Sequence, residues 1–142
     1  MKTKRYCLTL ELVEDHELIA LYRRLHSPEG IWREIPAGIR EVGITSMDIY
    51  LEGTRLFMIT EMPDSVDYDE AMARLATLPR QAEWEETVGR CQLCEPGSTS
   101  AGKWRLMEQI FSLPECTAAH NDKQRGRPAP SRERPRYFKT VI

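Results

Sequence analysis

Segments with strand-like spacing and segments with helix-like spacing of apolar residues follow one another along this chain, and their order limits the possible folds. Alternation of apolar and polar residues is typical of half-buried strands, and recurrence every third or fourth position is typical of helices. A Glu-Gly-Thr turn joins two alternating segments into a hairpin. The predicted strands are residues 4–12, 44–51, 55–62 and 104–113, and helical spacing occurs in residues 18–25, 32–42, 67–78 and 79–91.

The resulting order, β-α(α)-β-β-α(α)-β, is the split β-α-β arrangement of ferredoxin-like domains. It predicts an α+β fold in which four antiparallel strands form one sheet and helices cover one face. Local signals agree with these elements. Asp15 is placed to cap the first helix, Gly43 to end the second, and Pro79 to begin the last.

The third predicted strand is apolar on both of its faces. Leu56 and Met58 lie on one face, and Phe57 and Ile59 lie on the other. Helices cover only one face of the sheet, so the second apolar face needs another cover. A second copy of the chain supplies one. We therefore expect a homodimer packed sheet to sheet, as in a dimeric α+β barrel.

Four acidic residues lie beside apolar neighbours on the predicted strands. They are Glu11, Asp48, Glu61 and Glu108. Carboxylates accept hydrogen bonds from hydroxyl groups. We expect these acids to line a cavity that offers hydrogen-bond acceptors.

The charge distribution divides the chain into two parts. Residues 114–142 are rich in Pro and Arg and hold seven Lys and Arg against three acidic residues, whereas residues 1–113 hold 13 basic and 19 acidic residues. We expect one α+β domain at residues 1–113 and a basic, disordered tail at residues 114–142. An acidic body argues against nucleic acid as a partner.

The N-terminal segment does not read as a signal peptide, because Thr9 and Glu11 interrupt its apolar run. No segment approaches the roughly 18 apolar residues of a membrane span. We expect a cytoplasmic protein without a membrane partner and with reduced thiols. Cys91 and Cys94 form a CxxC pair, but no second pair completes a zinc site, and the pair ends a helix instead of opening one.

Tyr22 and His26 lie four residues apart, so they share one face of the first predicted helix. One interpretation is a core helix whose polar tips reach water, since Tyr and His are commonly half-buried. The other is a site, because a histidine exchanges protons near neutral pH and a tyrosine binds hydroxyl groups. Trp32 and Trp84 are open to the same two interpretations, as core residues or as surfaces for a sugar ring.

Five segments resemble the L-rhamnose mutarotase family: KRYCLTLEL, ELIALYRRLHSPEGIWREI, GITSMDIYLEGTRLFMITEM, QAEWEE and GKWRLMEQIFSL. They occur in this order over roughly residues 4–113. The resemblance implies a dimeric ferredoxin-like fold and interconversion of the α and β anomers of a 6-deoxy sugar, with no metal and no cofactor. Some relatives are assigned to L-fucose, and RYCLTLEL and ITSMDIY are more similar to those.

The resemblance also implies roles for individual residues. His26 matches the family's catalytic acid/base, Tyr22 its substrate-binding tyrosine, and Trp84 the second residue of its substrate-binding aromatic pair. The sequence departs from the family pattern at the sugar contacts. Ser-Pro-Glu-Gly lengthens the link from the histidine to Trp32, Met47 stands where the rhamnose enzyme has a tyrosine, and Glu83 is the first residue of the aromatic pair.

The residues suit this chemistry. Opening a pyranose ring requires a proton on the ring oxygen and the removal of one from the anomeric hydroxyl, and one His with a Tyr, a carboxylate or a water suffices. Two alternatives stay open on sequence alone. One is a cofactor-free monooxygenase or isomerase of the dimeric α+β barrel type. The other is a non-catalytic sugar-binding module, suggested by Met47 and Glu83.

Overall fold

The computed structural model describes residues 2–124 and 140–141. The strands are β1 (Thr3–Glu11), β2 (Ser46–Glu52), β3 (Arg55–Pro63), β4 (Arg105–Leu106) and β5 (Thr140–Val141). The helices are α1 (His16–Leu25), α2 (Glu34–Glu41), α3 (Tyr68–Leu75), α4 (Gln81–Gly89), α5 (Ser100–Lys103) and α6 (Leu113–Gln124).

The sheet has the strand order β2-β3-β1-β4, and every pairing is antiparallel. β1 lies at the centre and pairs with β3 along its whole length, from Thr3 opposite Pro63 to Glu11 opposite Arg55. The two central strands, β1 and β3, are therefore the first strands of the two β-α-β halves. The predicted ferredoxin-like α+β fold is confirmed.

The inner face of the sheet carries the core. Along β1 and β3 the buried and half-buried residues alternate strictly, so Leu8, Leu10, Leu56 and Met58 all point towards the helices. This pattern is the period-2 alternation of a sheet with one covered face. The face that receives α1 to α4 is therefore the face on which a site can be enclosed.

Two of the local signals act as predicted. The Asp15 carboxylate accepts a hydrogen bond from the Leu18 backbone N–H at 2.9 Å and so caps α1. Gly43 follows α2 with a φ of 101°, and a Cβ there would lie 3.0 Å from a methyl group of Val66. A side chain at Gly43 would thus be strained and crowded.

The start of α4 differs from the prediction. The helix begins at Gln81, two residues after Pro79, because Arg80 adopts the left-handed conformation with a φ of 63°. This turn separates α3 from α4. It also brings the Arg80 side chain over the face of Trp32.

The last strand of the sheet is much shorter than predicted. Arg105 and Leu106 pair with β1, and the Met107 backbone N–H still donates to Cys7 at 2.8 Å. The chain then leaves the sheet, with Ile110 and Phe111 exposed. The strand prediction is wrong for Trp104, which caps α5, and for residues 107–113, where apolar side chains recur without a sheet face to bury them.

The prediction of a disordered tail is wrong for its first part. Helix α6 covers Leu113–Gln124, with Pro114 in its first turn, where a missing N–H is tolerated. Ala119 is buried on this helix. Residues 125–139 lie outside the described part of the chain, and the prediction for them stays a prediction. Further on, β5 pairs with β1.

The predicted acidic cavity is also wrong. Glu11 and Glu61 lie on the outer face of the sheet, where Glu11 contacts Arg55 at 2.6 Å and Glu61 contacts Arg5 at 3.3 Å. Asp48 is exposed on β2, and Glu108 is exposed beyond β4. The reason is register: each of these pairs joins cross-strand neighbours on the face away from the helices.

Among residues 2–124 and 140–141, every helix is too short or too polar to cross a bilayer.

Candidate active site

A cavity of about 260 Å³ lies between the inner face of the sheet and helices α1 to α4. Leu8, Met58 and Ile49 form its floor, and Ile35 and Met72 contribute from the helices. Its buried and half-buried polar wall residues are Tyr22, His26, Tyr68, Gln81, Gln92, Ser100 and Lys103. The cavity is therefore an apolar chamber with a few polar groups, as small-molecule sites usually are.

His26 reaches the cavity because α1 ends there. It is the C-cap residue of α1, and its Nδ1 lies 2.7 Å from the backbone oxygen of Tyr22. A carbonyl oxygen only accepts hydrogen bonds, so Nδ1 carries the ring proton. The second ring nitrogen, Nε2, is then the unprotonated one and can accept a proton from a ligand.

Burial keeps the imidazole neutral. Removal from water lowers the pKa of His26 below its ordinary value of 6.5, and the hydrogen bond to Tyr22 opposes this only in part. At neutral pH the ring is thus in its basic form. A buried neutral imidazole with one fixed tautomer is suited to general base catalysis.

Tyr22 packs directly against His26. The two ring centroids are 4.1 Å apart, and the phenol is buried. Its Oη accepts a hydrogen bond from Gln92 Nε2 at 3.3 Å, which leaves the phenolic O–H as a donor. Burial raises the pKa of Tyr22. The phenol therefore stays protonated and acts as a hydrogen-bond donor at any ordinary pH.

Trp84 completes an aromatic corner around the histidine. Its ring centroid is 5.1 Å from that of His26 in an edge-on arrangement, and its indole lines the cavity. Trp32 packs edge-on against Trp84 at 5.3 Å, and the Arg80 guanidinium lies 4.0 Å from the Trp32 ring centroid. Trp32 thus supports Trp84 from outside and does not itself line the cavity.

The remaining two candidate site residues, Met47 and Glu83, lie in different environments. Met47, on β2, lines the cavity beside Ile49 and is half-buried. Glu83 is exposed on α4, and its carboxylate lies 3.4 Å from Arg80. The structure therefore brings Tyr22, His26, Trp84 and Met47 to one chamber and leaves Glu83 outside it.

The polar wall also contains residues that the sequence did not single out as site residues. Gln92 and Lys103 are both buried, although amide and ammonium groups are usually exposed. None of the described residues that line the cavity is an aspartate or a glutamate. Sequence alone gave little sign of Gln92, whose position depends on an isolated bridge between its backbone and Leu12.

No cysteine among the described residues lines the cavity. Cys91 and Cys94 are free thiols, and burial raises the pKa of Cys91. Among residues 2–124 and 140–141, no group of three or more His, Cys, Asp or Glu side chains is arranged to hold a metal ion.

Comparisons with known proteins give one consistent result. The sequence profile described as "L-rhamnose mutarotase" matches residues 5–113. An L-fucose mutarotase of Xanthomonas campestris is 36% identical over 118 residues, which is 83% of this chain and 94% of that protein. The crystal structure of an L-rhamnose mutarotase of Formosa agariphila superposes with a TM-score of 0.53 at 14% identity, covering 77% of this chain and 97% of that one. That structural likeness supports the fold.

Proposed function

The chain belongs to the L-rhamnose mutarotase family, and from this membership we propose that it is a sugar isomerase acting on L-rhamnose or L-fucose. The reaction is the interconversion of the α and β anomers of the 6-deoxy sugar. The observation that carries the mechanism is the neutral His26, with Nδ1 fixed on a carbonyl and Nε2 available, in the wall of an apolar cavity.

We propose that His26 moves one proton between two oxygens of the sugar. Nε2 takes the proton from the anomeric hydroxyl while that oxygen forms the carbonyl double bond and the bond from C1 to the ring oxygen breaks. The imidazolium then gives the same proton to the ring oxygen. His26 is neutral before and after, and the sugar is an open-chain aldehyde. Both oxygens are attached to C1, so one nitrogen can serve both.

The anomer changes while the chain is open. Rotation about the bond from C1 to C2 presents the other face of the carbonyl, and the reverse proton transfers close the ring. Among the described residues no aspartate or glutamate lines the cavity, so we assign no acidic side chain as the partner. The Tyr22 O–H, which burial keeps protonated, is positioned to donate to a sugar oxygen beside the imidazole.

Trp84 is assigned to sugar binding in this proposal. Its indole offers an apolar surface on which the C–H face of a pyranose can pack, and it lies beside the imidazole. Met47 adds a flexible apolar contact from β2. We assign no sugar contact to Glu83 or Trp32, since neither lines the cavity. The alternatives of a monooxygenase and a non-catalytic module gain no support from the comparisons.

The direct test is exchange between anomers at equilibrium. Saturation of one anomeric proton in an NMR experiment is expected to reduce the signal of the other when the protein is present. The experiment is run with L-rhamnose and with L-fucose. Absence of protein-dependent exchange for both sugars would contradict the proposal.

The pH dependence follows from the protonation state of His26. The base form is required, and burial lowers the pKa of His26 below 6.5. Activity is therefore expected to be full at neutral pH and to be lost as pH falls through that lowered pKa. The measurement is kcat/KM from about pH 4.5 to 8.5, with buffer-catalysed exchange subtracted. An increase in rate as the pH falls would show that the imidazolium starts the reaction instead.

We further propose that the protein is a homodimer. Large apolar side chains are exposed beyond β4, where Ile110 is 91% and Phe111 is 61% exposed, and Tyr50 on the outer face is 58% exposed. Such a concentration of exposed apolar side chains is typical of an interface. Light scattering is expected to give twice the chain mass of 16.5 kDa. Ile110→Asp combined with Phe111→Asp should yield monomers, and a wild-type mass of one chain would refute the dimer.

A further inference from the structure

Lys103 is a buried cation in the cavity wall. Its residue is 6% exposed, and its Nζ donates to the backbone oxygen of Glu85 at 3.3 Å. Within the described part of the chain, no carboxylate oxygen lies within 4.0 Å of this ammonium group. An ammonium group has three N–H donors, so Nζ has hydrogen-bonding capacity beyond the Glu85 carbonyl.

The fold keeps Lys103 in this position at a cost. Burial lowers the pKa of Lys103, although the electrostatic influence of Cys94, and then of Glu85, opposes the effect. The Glu85 carboxylate is itself engaged by the backbone N–H of Ser100. A buried cation whose hydrogen bond goes to a neutral carbonyl is unfavourable for folding. A ligand that accepts hydrogen bonds would compensate for this cost.

Gln92 presents the complementary group. Its residue is 4% exposed, and its Nε2 donates to Tyr22 Oη. Its Oε1 is fully buried and has no hydrogen-bond partner. Buried carbonyl oxygens are rarely left unpaired, so this oxygen still lacks the hydrogen-bond donor that such groups usually have. Gln92 and Lys103 both line the cavity that contains His26.

We propose that Lys103 and Gln92 form a second polar subsite, which binds two neighbouring hydroxyl groups of the sugar. Lys103 Nζ donates to one hydroxyl oxygen, and Gln92 Oε1 accepts the O–H of the next. A hydroxyl group both donates and accepts, so a vicinal diol satisfies this donor and acceptor together. An anion would meet the Gln92 oxygen as a repulsive neighbour. The subsite rests on the proposed function and adds its substrate-positioning residues.

The bound hydroxyls do not take part in ring opening. Their charge is the same in the ground state and in the transition state, so the subsite contributes uniform binding. Loss of uniform binding raises KM and leaves kcat unchanged. This distinguishes a positioning role for Lys103 from a role in proton transfer.

The test is Lys103→Met, with Lys2→Met as the matched control. Lys2 is an exposed lysine remote from the cavity. We expect Lys103→Met to raise KM for the better sugar by about 10- to 100-fold, the loss typical of a hydrogen bond to a charged group, with kcat nearly unchanged. Lys2→Met should match the wild type. The melting temperature of Lys103→Met should not fall, because the variant removes a buried charge whose loss of hydration opposes folding.

Sugars lacking one hydroxyl at a time identify the contact. For the sugar that lacks the hydroxyl bound by Lys103, wild type and Lys103→Met should have equal KM values. A large drop in kcat at unchanged KM, or no change in either constant, would overturn the subsite. A clear drop in melting temperature would instead mark Lys103 as structural and would also overturn it. Wild-type exchange is measured first, since its absence counts against the proposed function itself.

Discussion

His26→Ala is expected to slow protein-catalysed anomer exchange by about 10²- to 10⁴-fold, the usual contribution of general acid–base catalysis. The variant removes the only imidazole among the described cavity residues. Sugar binding should persist, because the aromatic corner and the polar wall are retained. The measurement is kcat from anomeric exchange at saturating sugar, alongside KM.

The matched control lies on the same helix. His16 is the first residue of α1 and is exposed at the opposite end from His26. His16→Ala should keep wild-type kcat and KM. If His26→Ala retained full activity with an unchanged melting curve, the assignment of His26 would be wrong, whatever the reaction of the wild type.

Trp84→Ala is expected to reduce the free energy of unfolding by about 3–5 kcal/mol, as large-to-small changes of buried aromatics do. The indole is 6% exposed and packs on both His26 and Trp32. Its removal enlarges the cavity and leaves the imidazole without one of its supports. Urea unfolding of the variant measures the loss, and the same sample should show a raised KM.

Trp32→Ala is the comparison variant for the loss of unfolding free energy expected in Trp84→Ala. Trp32 is only half-buried, and its cation–π contact with Arg80 is worth about 0.5–1 kcal/mol at a partly exposed site. It should therefore destabilise the protein less than Trp84→Ala. Equal losses of unfolding free energy for the two variants would contradict the assignment of Trp84 to the buried part of the aromatic corner and of Trp32 to its outer side.

The body of the fold was predictable because its local and long-range signals agree. The alternation of Tyr6, Leu8 and Leu10 places β1 with one buried face, and Asp15 marks the start of α1. The hairpin turn at Gly53 has the positive φ of 60° that glycine adopts freely. Each of these signals depends on residues close together in the sequence, so each can be predicted from the local sequence.

The C-terminal part was not predictable in the same way. Met107, Ile110 and Leu113 have the apolar character of a strand but are exposed. Composition also suggested disorder where α6 forms. The spacing of apolar residues indicates which side chains could be buried together. It does not indicate whether another part of the protein packs against them. Exposed apolar residues after β4 are one reason for proposing a second chain.

The site was partly predictable. Tyr22 and His26 share a helix face because of their spacing, so their contact follows from local geometry. Gln92 reaches Tyr22 across 70 positions of sequence, and no local pattern indicates such a contact. The acids failed as candidates because an apolar neighbour does not specify which face of the sheet a side chain occupies. The strand register decides that, and it places Glu11 and Glu61 beside Arg55 and Arg5 on the outer face.

The most direct test of the central claim is anomeric exchange in the wild-type protein, measured side by side with L-fucose and L-rhamnose. In our proposal this chain is a mutarotase whose neutral His26 moves a proton between two sugar oxygens. We expect saturation transfer between the anomeric protons of at least one sugar, in proportion to protein concentration, and its loss in His26→Ala. Exchange equal to that of buffer alone for both sugars would contradict the claim.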